Sequence, residues 1–141
     1  MLTGSEPVRV TATPLGESSS ATRLEDVSAL FEFADGSTAT LLYTAQGSSL
    51  LGKERVEVFC DGTAIAMDDF RQLTVRGKRR IDVKTRHPDK GHAAELQHFT
   101  DSILGKAAPE ITTRDGLIAT LCCIRLIDSA RQGEPLSIES I

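Results

Sequence analysis

The chain has 141 residues, 40% hydrophobic and 26% charged, with a net charge of -4. This is ordinary globular composition, enough for one core and one domain, and no run approaches the roughly 20 apolar residues of a membrane span. The acidic balance argues against a generic nucleic-acid binder, so neither nucleic acid nor membrane is expected as a partner.

Residues 1–7 carry no periodic pattern and read as a disordered start, leaving residues 8–141 for a single sheet domain. MLTGSEP has neither the basic nor the apolar region of a secretory signal. The three cysteines suggest no disulfide framework, since Cys122 and Cys123 are adjacent in a helical pattern and point in different directions. A reduced, cytoplasmic location is the expectation.

VRVTAT, from Val8 to Thr13, alternates as a first strand, and a turn-rich loop follows. VSALFEFA and STATLLYT then flank Asp35-Gly36. Counting outward from a two-residue turn sets Phe33 against Thr38, Phe31 against Thr40 and Ala29 against Leu42. Leu30 and Leu41, with Ser28 and Tyr43, fall on the reverse face. Both faces are then partly apolar, which predicts that something besides the chain's own helices covers the second one.

The next hairpin, ERVEVFCDGTAIAMDDF, turns at Asp61-Gly62, both of which need φ > 0 in a type I′ turn. Its register pairs Val56 with Met67, Val58 with Ile65 and Cys60 with Thr63 on one face. Arg55 with Asp68, Glu57 with Ala66 and Phe59 with Ala64 share the other. The chain returns through a three-residue loop, Gly77-Lys78-Arg79, which pairs Val75 with Ile81 and Leu73 with Val83.

Helix signals come last. Asp89 is the expected N-cap of a helix carrying His92, Leu96, Phe99 and Ile103 until Gly105. Thr112 and Asp115 form a capping box for a second helix running to about Arg131, with Gly133 just beyond it. EPLSIESI supplies a short edge strand. Strands first and helices afterwards predict an α+β fold: an open antiparallel β-sheet of about six to seven strands with two C-terminal helices on one face.

The chain lacks a dinucleotide fingerprint, a P-loop and a nucleophile elbow. His92, Glu95 and His98 are spaced so that the two histidines leave the helix on different faces, unlike a zinc-binding H-E-x-x-H. The cysteines sit in apolar runs without an adjacent base and read as core residues. Asp68 and Asp69 point to opposite faces of a strand, which argues against an acid-base pair. Arg71 to Lys90 holds eight Lys/Arg against two Asp but no aromatic to stack on a base, so it reads as a solvated hairpin edge.

The runs KERVEVFCDGTAIAMDDF, DKGHAAELQHFTDSI and PEITTRDGLIATLCCIRLIDSARQGEPLSI resemble the C-terminal part of Gfo/Idh/MocA-type oxidoreductases. Lys53-Glu54, Asp68-Asp69-Phe70 and Asp89-Lys90-Gly91-His92 are closest to the branch fused to zinc alcohol-dehydrogenase-like regions. The likeness spans about residues 8 to 138. It implies a sheet domain that packs beside an N-terminal Rossmann domain, covers a sugar-like substrate and forms subunit contacts through its open sheet face.

The family's cofactor-binding glycines, its Glu-Lys-Pro lysine and its D-x-x-x-H helix belong before Val8. The resemblance therefore assigns no catalytic residue to this chain. NAD or NADP is implied for the complete enzyme, with none bound by this chain alone. Lys53, Arg71, Lys90 and His92 are the candidates for contacting an anionic or sugar substrate, Lys90 and His92 through the first turn of the helix expected after Asp89. A homodimer through Leu30, Leu41 and Tyr43 or Phe31, Phe33 and Leu42 is expected. The competing reading is a stand-alone, non-catalytic interaction module.

Overall fold

In the computed structural model, residues 4–16 and 26–138 are described. The chain divides into two compact units, residues 1–47 with 110–141, and residues 48–109.

In the first unit, β1 (Pro7–Pro14), β2 (Val27–Phe33) and β3 (Thr38–Tyr43) form an antiparallel sheet. The last two chain elements, α2 (Thr113–Gln132) and β8 (Leu136–Ser137), belong to the same unit, and the strand order is β3-β2-β1-β8. The expected edge strand is therefore present, beside β1. α2 starts at the expected capping box: the Asp115 N–H donates to Thr112 Oγ1 and the Thr112 N–H donates to Asp115. It ends at Gly133 with φ 72°, a left-handed cap that costs glycine little.

Val10, Ala12, Val27, Ala29, Leu126, Ala130 and Ile138 form the core, with Phe31, Leu121, Cys122 and Ile127 packed against it. The helix therefore covers the sheet face that carries Val27, Ala29 and Phe31. Leu117 and Ile124, apolar residues on other sides of α2, are 48% and 50% exposed.

The β2–β3 register differs by one residue from the expectation: Ala29 pairs with Leu41, Ser28 with Leu42 and Leu30 with Thr40. The loop has three residues, because the Phe33 N–H donates to the Ser37 carbonyl and the Gly36 N–H to the Phe33 carbonyl. Of Asp35 and Gly36, only Gly36 is left-handed, with φ 86°. A one-residue shift moves every β3 side chain to the other face. Leu41 and Tyr43 thus join Phe31 on the helix-bearing face, and Leu42 joins Leu30 on the opposite one.

That opposite face is not the apolar patch the sequence predicted. Strand alternation gives it Thr11, Thr13, Ser28, Thr38 and Thr40 around Leu30 and Leu42, together with the Arg9–Glu32 ion pair at 2.7 Å. Water can cover most of it.

The second unit contains β4 (Arg55–Cys60), β5 (Thr63–Asp68), β6 (Gln72–Arg76), β7 (Arg80–Lys84) and α1 (His92–Ile103). The four strands form their own antiparallel sheet in chain order, so the single sheet of six to seven strands is replaced by two four-stranded sheets. All six predicted β4–β5 pairs are present, with Asp61 and Gly62 at φ 46° and 70°. Val75 pairs with Ile81 and Leu73 with Val83, as a three-residue loop requires.

α1 departs from expectation at its start. Gly91, with φ 77°, is the N-cap and supplies no side-chain bond, while Asp89 Oδ1 accepts the Gly91 N–H in the preceding turn. Lys90 accordingly lies before the helix, not in its first turn. No residue of α1 is buried, and Leu96, Phe99 and Ile103 are 66%, 63% and 69% exposed. The two helices therefore do not share a sheet face as predicted: α2 packs on the first unit's sheet, and α1 belongs to the other unit.

Register makes the two faces of the second sheet chemically opposite. One carries Val56, Val58, Ile65, Met67, Leu73, Val75, Ile81 and Val83, and the other carries Arg55, Glu57, Asp68, Gln72, Arg76 and Asp82. On the apolar face Ile81 and Val83 remain 44% and 47% exposed.

Candidate functional site

β5 and β6 are joined by Asp69-Phe70-Arg71, and this turn gathers three of the four predicted substrate residues. Asp69 and Phe70 are both left-handed, with φ 49° and 53°. Asp tolerates that conformation, whereas a bulky aromatic does so only when its surroundings over-determine it. Those surroundings are visible. The Asp69 N–H donates to the Glu54 carbonyl at 2.7 Å, the Arg71 N–H to the Asp68 carbonyl at 2.9 Å, and the Asp89 N–H to the Phe70 carbonyl at 3.0 Å.

Side chains close the same clasp. The Lys53 N–H donates to Asp69 Oδ1 at 3.1 Å. Lys90 Nζ lies 5.2 Å from the centre of the Phe70 ring and 3.4 Å from Glu54 Oε1, a cation–π contact beside an ion pair. The Arg71 guanidinium donates to the Arg86 carbonyl at 3.1 Å, and the Arg71 carbonyl accepts the Thr85 N–H at 2.8 Å. A side chain at Gly52 would lie 2.9 Å from Asp69 Cβ, so the preceding loop approaches the turn closely.

Lys53, Arg71 and Lys90 thus meet around one turn, but Lys53 through its backbone, and Arg71 and Lys90 with partners already engaged. His92 is exposed at the first position of α1, outside this set of contacts. Beside the clasp lies a depression of about 220 Å³ lined by residues including Phe70, Arg71, Gln72, Thr85 and Asp89. Phe70 is the residue that sequence reasoning missed as an organiser. Its signal was an Asp-Asp-Phe run where a turn must follow a strand.

The arrangement can hold a polar or anionic group at the Arg71 and Lys90 edges. It presents no nucleophile beside a base. Burial, with the neighbouring Cys123, pushes the Cys122 thiol up, which disfavours a thiolate there. Among the described residues no group of three or more His, Cys, Asp or Glu could hold a metal ion.

No family model and no curated protein matches the chain. Solved structures do. An aldose-aldose oxidoreductase from Caulobacter crescentus, complexed with glycerol, superimposes with a TM-score of 0.77 at 20% identity, over 96% of this chain and 42% of that one. The chain has the fold of the C-terminal part of Gfo/Idh/MocA-type oxidoreductases. A UDP-N-acetylglucosamine 3-dehydrogenase from Acidithiobacillus ferrooxidans matches at TM-score 0.74 and 17% identity, covering 92% of this chain and 42% of that one. A levoglucosan dehydrogenase, in complex with NADH and L-sorbose, matches at 0.73 and 19%, over 96% and 46%. The chain therefore spans less than half the length of the Gfo/Idh/MocA-type structures it matches.

Proposed function

We propose that this chain is the C-terminal, substrate-covering and subunit-contact part of an NAD(P)-dependent sugar oxidoreductase, catalytically incomplete alone. The observation that carries the reading is the fold likeness over 96% of this chain to only 42% of an aldose oxidoreductase. Neighbours crystallised with NADH and L-sorbose, or with NAD+ and L-tartaric acid, support a nicotinamide cofactor and a polyhydroxylated substrate for the whole enzyme. In this reading a Rossmann domain supplies the cofactor site. Lys53, Arg71, Lys90 and His92 lie on the substrate side, with Arg71 and Lys90 binding hydroxyl or carboxylate oxygens.

The subunit contact is a homodimer formed by the apolar face of β4 to β7, where Val56, Leu73, Ile81 and Val83 are at least 36% exposed in the isolated chain. A second copy related by a two-fold axis meets such a face with the same apolar surface. A stable dimer needs about 1,600 Å² buried in total. The β2–β3 face is a poor alternative, since its threonines and the Arg9–Glu32 pair would lose water.

The test is expression of the longest reading frame containing these residues, assayed for NAD or NADP reduction with a panel of aldoses and polyols. Turnover is expected from the long protein and not from residues 1–141, and Arg71→Ala should raise KM more than it lowers kcat. Turnover by residues 1–141 alone, or a reading frame without a Gly-rich dinucleotide turn, overturns the reading. The second outcome would favour the stand-alone interaction module.

A further inference from the structure

We propose that Met67 is a positioning residue that ties the subunit contact to the substrate-side turn, so that the depression beside Phe70 is complete only when a second copy covers the β4–β7 face. It rests on the homodimer and the substrate side proposed for this chain. One bond carries it: the N–H of Phe70, in its left-handed turn, donates to Met67 Sδ at 3.2 Å.

Met67 belongs to both places. It pairs with Val56 on one side and Leu73 on the other, and Leu73 pairs with Val83, which makes one row across the apolar face. Met67, Leu73 and Val83 also line the depression of about 220 Å³, together with Phe70, Arg71 and Asp89. The apolar floor of the depression is thus part of the surface that meets a second copy, whereas its rim is the clasp.

In the single chain this floor is wet. Leu73 and Val83 are 37% and 47% exposed, and Met67 is half-buried. Methionine has three rotatable bonds and its thioether is a weak acceptor, so it holds an N–H in place only where packing fixes its rotamer. Phe70 depends on that acceptor, because a left-handed aromatic persists only when its surroundings over-determine it. A second copy seated on the row removes water from the thioether and limits its rotamers, which strengthens the N–H···S bond. Phe70 then keeps its ring beside Lys90 Nζ and its carbonyl on the Asp89 N–H in one arrangement. Arg71, the next residue, is carried with it. By linkage, whatever factor dimerisation adds to substrate affinity, substrate adds to dimerisation.

The test is hydrogen exchange of the Phe70 amide, followed by NMR on residues 1–141 at a concentration where light scattering reports the dimer. Val75→Lys lies on the apolar face but outside the depression. By dissociating the dimer it should speed exchange at Phe70 about tenfold more than at Ala66, in a central strand of the same sheet. Ile81→Lys, on the edge strand β7, is the second dissociating variant if Val75→Lys does not fold. Met67→Leu keeps the apolar volume and the dimer mass but removes the acceptor, so it should speed Phe70 exchange with the same selectivity. In the long protein Met67→Leu should raise KM about threefold or more with kcat unchanged. The exchange measurements need no turnover, so they stand apart from the oxidoreductase reading. A wild-type monomer overturns the subunit contact and this proposal with it. Equal effects at Phe70 and Ala66 in a folded monomer, or unchanged Phe70 exchange in Met67→Leu, overturn the coupling alone.

Discussion

The Ser129 hydroxyl accepts the Ala12 N–H at 3.0 Å and donates to the Glu134 carbonyl at 2.6 Å. β8 pairs only with Arg9 and Val10, so the edge of β1 beyond Val10 needs another partner. A fully buried side chain on α2 supplies it. Ser129→Ala leaves a buried donor unsatisfied and should cost about 1 to 3 kcal/mol. Urea unfolding should show a lower midpoint with an unchanged slope; an unchanged midpoint would mean that water replaces the hydroxyl.

The capping box at the start of α2 should behave as a local device. Thr112→Ala removes the acceptor of the Asp115 N–H and should destabilise the fold by about 1 kcal/mol, read as a lower melting temperature. Thr112→Ser should restore most of the loss, because only the hydroxyl is used.

Acid should weaken the fold through its aspartates. The Thr44 hydroxyl, then Gln46 and the Ala45 N–H, hold the Asp26 carboxyl below the usual range. The Ser37 N–H does the same for Asp35, Arg76 with Arg80 for Asp82, and Thr112 for Asp115. A carboxylate harder to protonate when folded contributes stability above its unfolded value, near pH 4, and loses it as pH falls through the folded value. Denaturant midpoints should thus drop below about pH 4, and Asp26→Asn should flatten that drop while lowering stability at neutral pH. An equally steep drop in Asp26→Asn would exclude this site as a contributor.

Two lysine substitutions separate the possible dimer faces. Val75→Lys lies on the apolar face of β4 to β7 and should convert a particle of about twice the 15.2 kDa chain mass into a folded monomer by light scattering. Leu42→Lys lies on the polar face of β2 and β3 and should leave the mass unchanged. The reverse result would move the subunit contact to the first sheet.

Two Asp-Gly hairpins separate register fixed by local chemistry from register fixed by distant parts of the chain. At Asp61-Gly62 the dipeptide and the alternating strands around it agree, local chemistry suffices, and the register was readable pair by pair. The same holds for Thr112 with Asp115 and for Gly133, whose caps are satisfied within one helix turn. At Asp35-Gly36 the same dipeptide forms a three-residue loop, because the segment just before β1 bonds to it. The Ala34 N–H donates to the Glu6 carbonyl at 2.9 Å and the Asp35 N–H to Ser5 Oγ at 3.1 Å. Those bonds come from the chain before β2, which no count outward from the turn includes, and the resulting shift reassigned Leu41, Leu42 and Tyr43. The clasp around Phe70 was hidden for the same reason: it joins residues from different strands and loops, so their proximity exists only once the strands have paired.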